Sequence, residues 1–138
     1  MASILKVDTI TGVTTAGSVA VTGEGNSTTT NLQQGLAKVW VHHNQVSSHS
    51  IYDSLNVSSL TDVSTGHSTI NYTNNMTNDD YAATHHTNCH ASADNFNIGG
   101  PGAVINRATS SMDHRSYYVA PAYIDSILND NVAFGDLA

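Results

Sequence analysis

TNLQQGLAKVWVHHN (30–44), SIYDSLNVSSLTDVSTG (50–66) and STINYTNNMTNDDYAA (68–83) are three short stretches in which apolar and polar residues alternate. Leu36 to His43 puts Val39 and Val41 on one face of a strand, with Lys38 and Trp40 on the other. His49 to Val57 alternates Ile51, Asp53, Leu55 and Val57 against Tyr52, Ser54 and Asn56. Ser68 to Thr73 carries Ile70 and Tyr72 on one face. Between these runs lie Asp62 to Gly66 and Asn74 to Asp80, rich in the Asp, Asn, Ser and Gly that close turns. A period of two, broken by turn residues every eight to twelve positions, predicts a β-rich domain.

Moving outward, Tyr81 to Cys89, Ala103 to Ala108, Met112 to Val119 and Val132 to Phe134 read as further strands. Ala122 to Leu128, with Pro121 before it, is the one stretch read as a helix. The fold class is all-β, an antiparallel β-sandwich or barrel-like C-terminal domain spanning 32–138. Ahead of it, residues 1–22 hold only scattered apolar side chains, and 23–31 (GEGNSTTTN) has no large apolar residue and reads as a linker. About twenty residues with isolated valines and isoleucines cannot build a core of their own. Ile4, Leu5, Val7, Ile10 and Val13 therefore need another surface, and the segment reads as an extended attachment arm. The same shortage of apolar residues leads to an oligomer, read here as a homotrimer.

Composition excludes several classes. Ser, Thr and Asn fill 46 of 138 positions, whereas charged residues make up 11%. Hydroxyl and amide side chains suit hydrated outer faces and turns, and 39% hydrophobic residues with six Tyr and one Trp argue against disorder. A formal charge of −7 leaves no basic patch for phosphates, so nucleic acid is not an expected partner. Protonating all eight His would move that balance to about +1. Cys89 is alone, so no intrachain disulfide forms. The opening MASILKVDTITG has no apolar run, so neither a signal peptide nor membrane insertion is expected.

No constellation for catalysis appears, and no cofactor is expected. Ser, His and Asp are abundant, but there is no G-x-S-x-G elbow. Gly99-Gly100-Pro101-Gly102 lacks the Lys-Ser of a phosphate loop, and Asp79-Asp80 sits among asparagines as a turn. His42 and His43 are adjacent and face opposite sides of a strand. In His85-His86-Thr87-Asn88-Cys89-His90, same-face residues four apart are separated by about 13 Å along a strand. Ligand bonds of about 2 Å exclude one ion between them. A metal would need a loop conformation here, or a three-fold axis where a single His86 or His90 supplies three ligands; the default is no metal. Arg115, Tyr117, Tyr118 and Tyr123 lie close in sequence and combine residue types enriched at recognition surfaces, so they are the candidate receptor contacts, with core or subunit-interface tyrosines as the equal alternative.

MASILKVDTI at 1–10, TTNLQQGLAKVWV at 29–41, DSLNVSSLTDVSTG at 53–66, INYTNNM at 70–76 and AFGD at 133–136 together resemble tail-fibre-like proteins of marine bacteriophages. The resemblance touches both ends and the first half of the body, and leaves His85 to Tyr123 unmatched. It implies a non-enzymatic virion protein made in the host cytoplasm. Such a protein is a short tail fibre or spike, homotrimeric, bound to other virion proteins of tail or capsid by its N-terminus. Its distal domain then meets a host-surface glycan or protein. Members are often much longer, with an intervening shaft, so a capsid-surface fibre or decoration, or an adaptor, stays open. A soluble carbohydrate-binding β module is the alternative from another class.

Overall fold

β3 (Ala37–Asn44) sets the pattern for the body: Val39, Val41 and His43 are buried, while Trp40 and His42 on the opposite face are partly open. The computed structural model describes residues 4–13, 19–23, 28–87, 102–119 and 122–138. Two compact units divide between Leu36 and Ala37.

In the first unit, residues 4–13 form no strand or helix. β1 (Ala20–Thr22) pairs antiparallel with β2 (Thr29–Asn31), so residues 29–31 of the expected linker belong to a hairpin. α1 (Leu32–Gly35) follows directly, a single turn absent from the sequence reading. Its N-cap is Asn31, whose Oδ1 accepts from the Gln33 and Gln34 N–H groups at 2.8 and 3.2 Å. An Asn before Leu-Gln-Gln is the local signal for that turn.

The second unit contains β3, β4 (Ser50–Leu55), β5 (Val57–Ser64), β6 (His67–Tyr72), β7 (Ala82–Thr87), β8 (Gly102–Ala108), β9 (Ser111–Val119), β10 (Ala122–Tyr123) and β11 (Asn129–Phe134). All pairings are antiparallel. One sheet runs β4-β3-β11-β7; in the other, β5 pairs β6, β6 pairs β9, and β9 also pairs β8 and β10. Both sheets feed one core: Val39, Val41 and Ala133 from the first, Ile70, Tyr72 and Met112 from the second, with Met76 and Tyr81 from the connection between β6 and β7. The body is all-β and sandwich-like.

Three readings change. The expected turn at Asp62 to Gly66 is strand as far as Ser64, so that only Thr65 and Gly66 turn the chain. The run from His49 to Val57 is two strands, because Asn56 takes φ 60 and turns the chain. Its side chain fixes that turn, donating to Asn74 O at 3.0 Å and accepting from the Asn74 N–H at 2.7 Å. A register shift opposite His42/His43 also breaks the expected parity, so Ile51 packs on the core while Leu55 is exposed. The expected helix at 122–128 is a two-residue strand and an irregular segment. Its backbone groups bond outside the segment instead of to the preceding turn: Ile124 N–H reaches Ser116 O at 3.3 Å, and Ser126 O accepts from Gln45 N–H at 2.8 Å.

The connections sort into two ends. At one, Thr73 N–H bonds Asn56 O, Met76 N–H bonds Thr109 O, and Met76 bridges Leu137. The chain enters the body at this end, at Ala37. At the other lie residues 45–49, the turn at Thr65 and Gly66, residues 117–119 and 122–128, and the strand ends Thr87 and Gly102. His85 to Thr87, Arg115 to Val119 and Ala122 to Tyr123, separate in sequence, reach this same end.

Candidate recognition site

The site is built on the outer face of β6 and β9. Thr69 stands opposite Asp113 and His67 opposite Arg115, and the row continues to Tyr117 opposite Tyr123 on β10. Alternation along β9 explains which residues appear. Met112, His114 and Ser116 point inward and are buried, leaving Asp113, Arg115 and Tyr117 outward.

Three of the four residues singled out for recognition meet. The Arg115 guanidinium carbon lies 5.4 Å from the centre of the Tyr123 ring, and Nη1 donates to the Tyr123 hydroxyl at 3.3 Å. Tyr117 and Tyr123 rings are 5.7 Å apart and tilted by 59°. Tyr123 remains 45% exposed. The side chain of Tyr118 lies outside the described residues.

Beside this cluster Asp113 is held through both carboxylate oxygens. Its Oδ1 accepts from Thr69 Oγ1 at 2.6 Å and its Oδ2 from Asn106 Nδ2 at 2.8 Å, with His67 Nε2 at 3.4 Å. Burial pushes the Asp113 carboxyl up, but these three donors outweigh it and hold it below the ordinary value of 3.8.

Behind the face, the interior at this end is polar. Gln45 donates through Nε2 to Ser68 Oγ at 2.9 Å and accepts on Oε1 from the Ser116 hydroxyl and the Ser126 N–H. Asn129 accepts on Oδ1 from Thr87 Oγ1 at 2.6 Å and donates to Ser126 O and His43 O at 2.9 and 3.3 Å. His114 lies between two asparagines, with Nε2 3.2 Å from Asn129 Oδ1 and Nδ1 3.0 Å from Asn131 Oδ1. A neutral imidazole has one N–H. Nε2–H donating to Asn129, with the Asn131 amide turned to present Nδ2 to the Nδ1 lone pair, satisfies both nitrogens and the otherwise unpartnered Asn131 Nδ2.

His43 and His85 pack edge-on to His114, with centroids 5.4 and 5.7 Å away. Burial, reinforced by His114, His49 and His42, pulls His43 down to about 3. Burial and then His85 pull His114 to about 4, against the hydrogen bonds from Asn131 and Asn129. Both rings are therefore neutral near pH 7. Sequence reading missed this layer, although Val39-x-Val41-x-His43 and Met112-x-His114-x-Ser116 share one parity and so one face.

The turn into the site requires Gly66. It has φ +67, and a Cβ there would stand 2.6 Å from Ser116 O and 2.9 Å from Ile124 O. Its N–H donates to Asp125 Oδ1 at 2.6 Å, so Asp125 locks this turn to the segment after β10.

The other sequence candidates lie elsewhere. Ile4, Leu5, Val7, Ile10 and Val13 are all exposed, from 52% at Val7 to 91% at Val13. His86 is exposed on the outer face of the other sheet, its Nδ1 3.9 Å from Asp130 Oδ2, while His42 Nδ1 holds Asp130 Oδ1 at 2.7 Å. His90 and Cys89 fall outside the described residues. Among the described residues no three His, Cys, Asp or Glu side chains group to hold a metal ion. Asp80 N–H donates to Asn78 Oδ1 at 3.0 Å, the bond of a local turn.

No family model, curated protein or solved structure matches this chain.

Proposed function

We propose that this chain is a non-enzymatic virion structural protein, a short tail fibre or spike. In this reading the N-terminal segment attaches to the particle and the β body meets the host surface. The observation that carries it is the row Ile4, Leu5, Val7, Ile10 and Val13. Five apolar side chains within ten residues stand exposed on a segment without strand or helix. Exposing them to water is unfavourable by roughly 25 cal/mol per Å² of apolar surface, and a groove or sheet edge on another protein removes that cost.

Two features support the polarity. The chain enters the body at the end where the apolar core lies, and the Arg115–Tyr117–Tyr123 cluster sits at the opposite end. The homotrimer is part of this reading through the resemblance to such fibres. The resemblance to marine phage fibres stays at the level of the motifs quoted above, and attachment to tail or capsid fits it equally. The tyrosine–arginine cluster also suits a free carbohydrate-binding module, the second reading.

Deleting residues 1–22 separates them. The fibre reading expects a folded, soluble body that no longer enters particles; normal incorporation of the truncated chain overturns it. A free module would lose nothing on the same deletion.

A further inference from the structure

Arg115 is one of four basic residues in a chain of net charge −7, and none of the ion pairs among the described residues includes it. The nearest carboxylate along its strand, Asp113, is committed to Thr69, Asn106 and His67. Arg115 is held instead by an uncharged partner, stacked on the Tyr123 ring and bonded to its hydroxyl. Its Nε is buried without a hydrogen-bond partner among the described residues. A guanidinium presents five N–H donors in a planar fork, and a single 3.3 Å bond to a phenol uses one of them.

An unpaired guanidinium beside two tyrosines matches a definite chemistry. The fork binds carboxylate or sulfate oxygens two at a time. The Tyr123 ring, covered by Arg115 on one side and still 45% exposed, offers surface for the C–H face of a pyranose. Stacking on Tyr123 fixes the guanidinium before any ligand arrives, which lowers the ordering entropy that binding must offset. Tyr117, the cross-strand neighbour of Tyr123 with ring centres 5.7 Å apart and tilted by 59°, supports the platform from the side.

We propose that Arg115, Tyr123 and Tyr117 form a binding site for an anionic saccharide, the acid group on Arg115 and the sugar ring against Tyr123. The assignment rests on the reading of this end of the body as a recognition surface, and it commits that surface to an acidic glycan. A ligand carboxylate and a ligand sulfate share the chemistry that Arg115 reads.

Calorimetric titration of the full chain tests it with four probes: tetragalacturonate, its methyl ester, a sulfated galactan tetrasaccharide, and a tetraglutamate peptide. The expected result is that tetragalacturonate or the sulfated galactan binds at least tenfold tighter than the ester and the peptide. Which of the two binds tells carboxylate from sulfate. Arg115→Gln should lose at least tenfold, Arg115→Lys several-fold for want of the fork, and Tyr123→Ala about tenfold. Raised salt should weaken the wild-type interaction. Equal binding of the ester removes the role of charge, and equal binding of the peptide removes the sugar. Full affinity in Arg115→Gln, or no binding by any probe, overturns the site. The ester comparison uses the wild-type chain, so a poorly folding variant does not blunt it. Particle incorporation of the arm-deleted chain is read independently, so loss of this site leaves the fibre reading standing, and the reverse.

Discussion

The two ends of the sandwich interior are made by the same strands and filled by opposite chemistry. At the end where the chain enters, Val39, Val41, Ile70, Tyr72, Met112 and Ala133 close an apolar core. Toward the other end β3 continues with His43, β6 has Ser68, β9 has His114 and Ser116, and β11 has Asn131 and Asn129, all buried. β6 and β9 change character together, Ile70–Met112 being followed by Ser68–His114, while β11 turns polar one step before β3, with Asn131 opposite Val41 and Asn129 opposite His43. The apolar end supplies non-directional cohesion. The polar end supplies direction, because its hydrogen bonds form only in one register and a shifted strand would bury unpaired groups. Register at the polar end also places Arg115 opposite His67 and Tyr117 opposite Tyr123, so the interior positions the recognition face.

The sharpest way to separate the ends is acid. His43 and His114 are neutral when buried, with values near 3 and 4, whereas the unfolded chain protonates them near 6.5. Below 6.5 the unfolded state therefore binds more protons, and stability falls as pH falls. Each group contributes about 1.4 kcal/mol per pH unit, so the two together remove about 4 kcal/mol by about pH 5. Asp113, held below 3.8, adds its loss only at still lower pH. Urea titrations at pH 7 and about pH 5 measure the difference. His43→Leu, which replaces a ring without hydrogen-bond partners among the described residues, should halve the slope. An unchanged slope would move the acid sensitivity away from this layer.

At the apolar end, Ile70→Ala removes a fully buried side chain facing Met112, and the expected loss is about 3 kcal/mol at pH 7 with no change in pH slope. Asn129→Ala strips partners from Thr87, His43 O and His114 at once, and about 2 kcal/mol is expected, with a altered pH slope because His114 loses its acceptor. Chemical denaturation of both variants across pH completes the comparison. If Asn129→Ala proves neutral, the polar end contributes no cohesion and its hydrogen bonds serve placement alone.

Much of the fold was legible. Alternation located β3, β6, β8 and β9 within a residue or two, because a half-buried strand imposes a period of two on its own sequence. Asn56 hid the break between β4 and β5, since an Asn in an apolar alternation reads as one more polar position until its positive φ is seen. Arg115, Tyr117 and Tyr123 were legible as residue types and as neighbours, and β9 with β10 is local enough to bring them together. The buried layer was not. His43, His114 and Asn129 are polar residues that look solvated in sequence, and their burial depends on partners 15 to 86 positions away.

By itself, then, the sequence determined an all-β body with turns at Gly66 and Asn74 to Asp80, a low charge, and an apolar-studded N-terminal segment. These follow from local periodicity and turn chemistry, which act over a few residues. Tertiary structure alone decided that Val39 and His43, on one strand face, belong to opposite ends of one interior. It also decided that 122–128 forgoes a helix and that Arg115 has an aromatic partner instead of a carboxylate. The first two outcomes rest on hydrogen bonds and burial between segments apart in the chain, where pairing energy outweighs local propensity, and the third on the short-range pairing of β9 with β10.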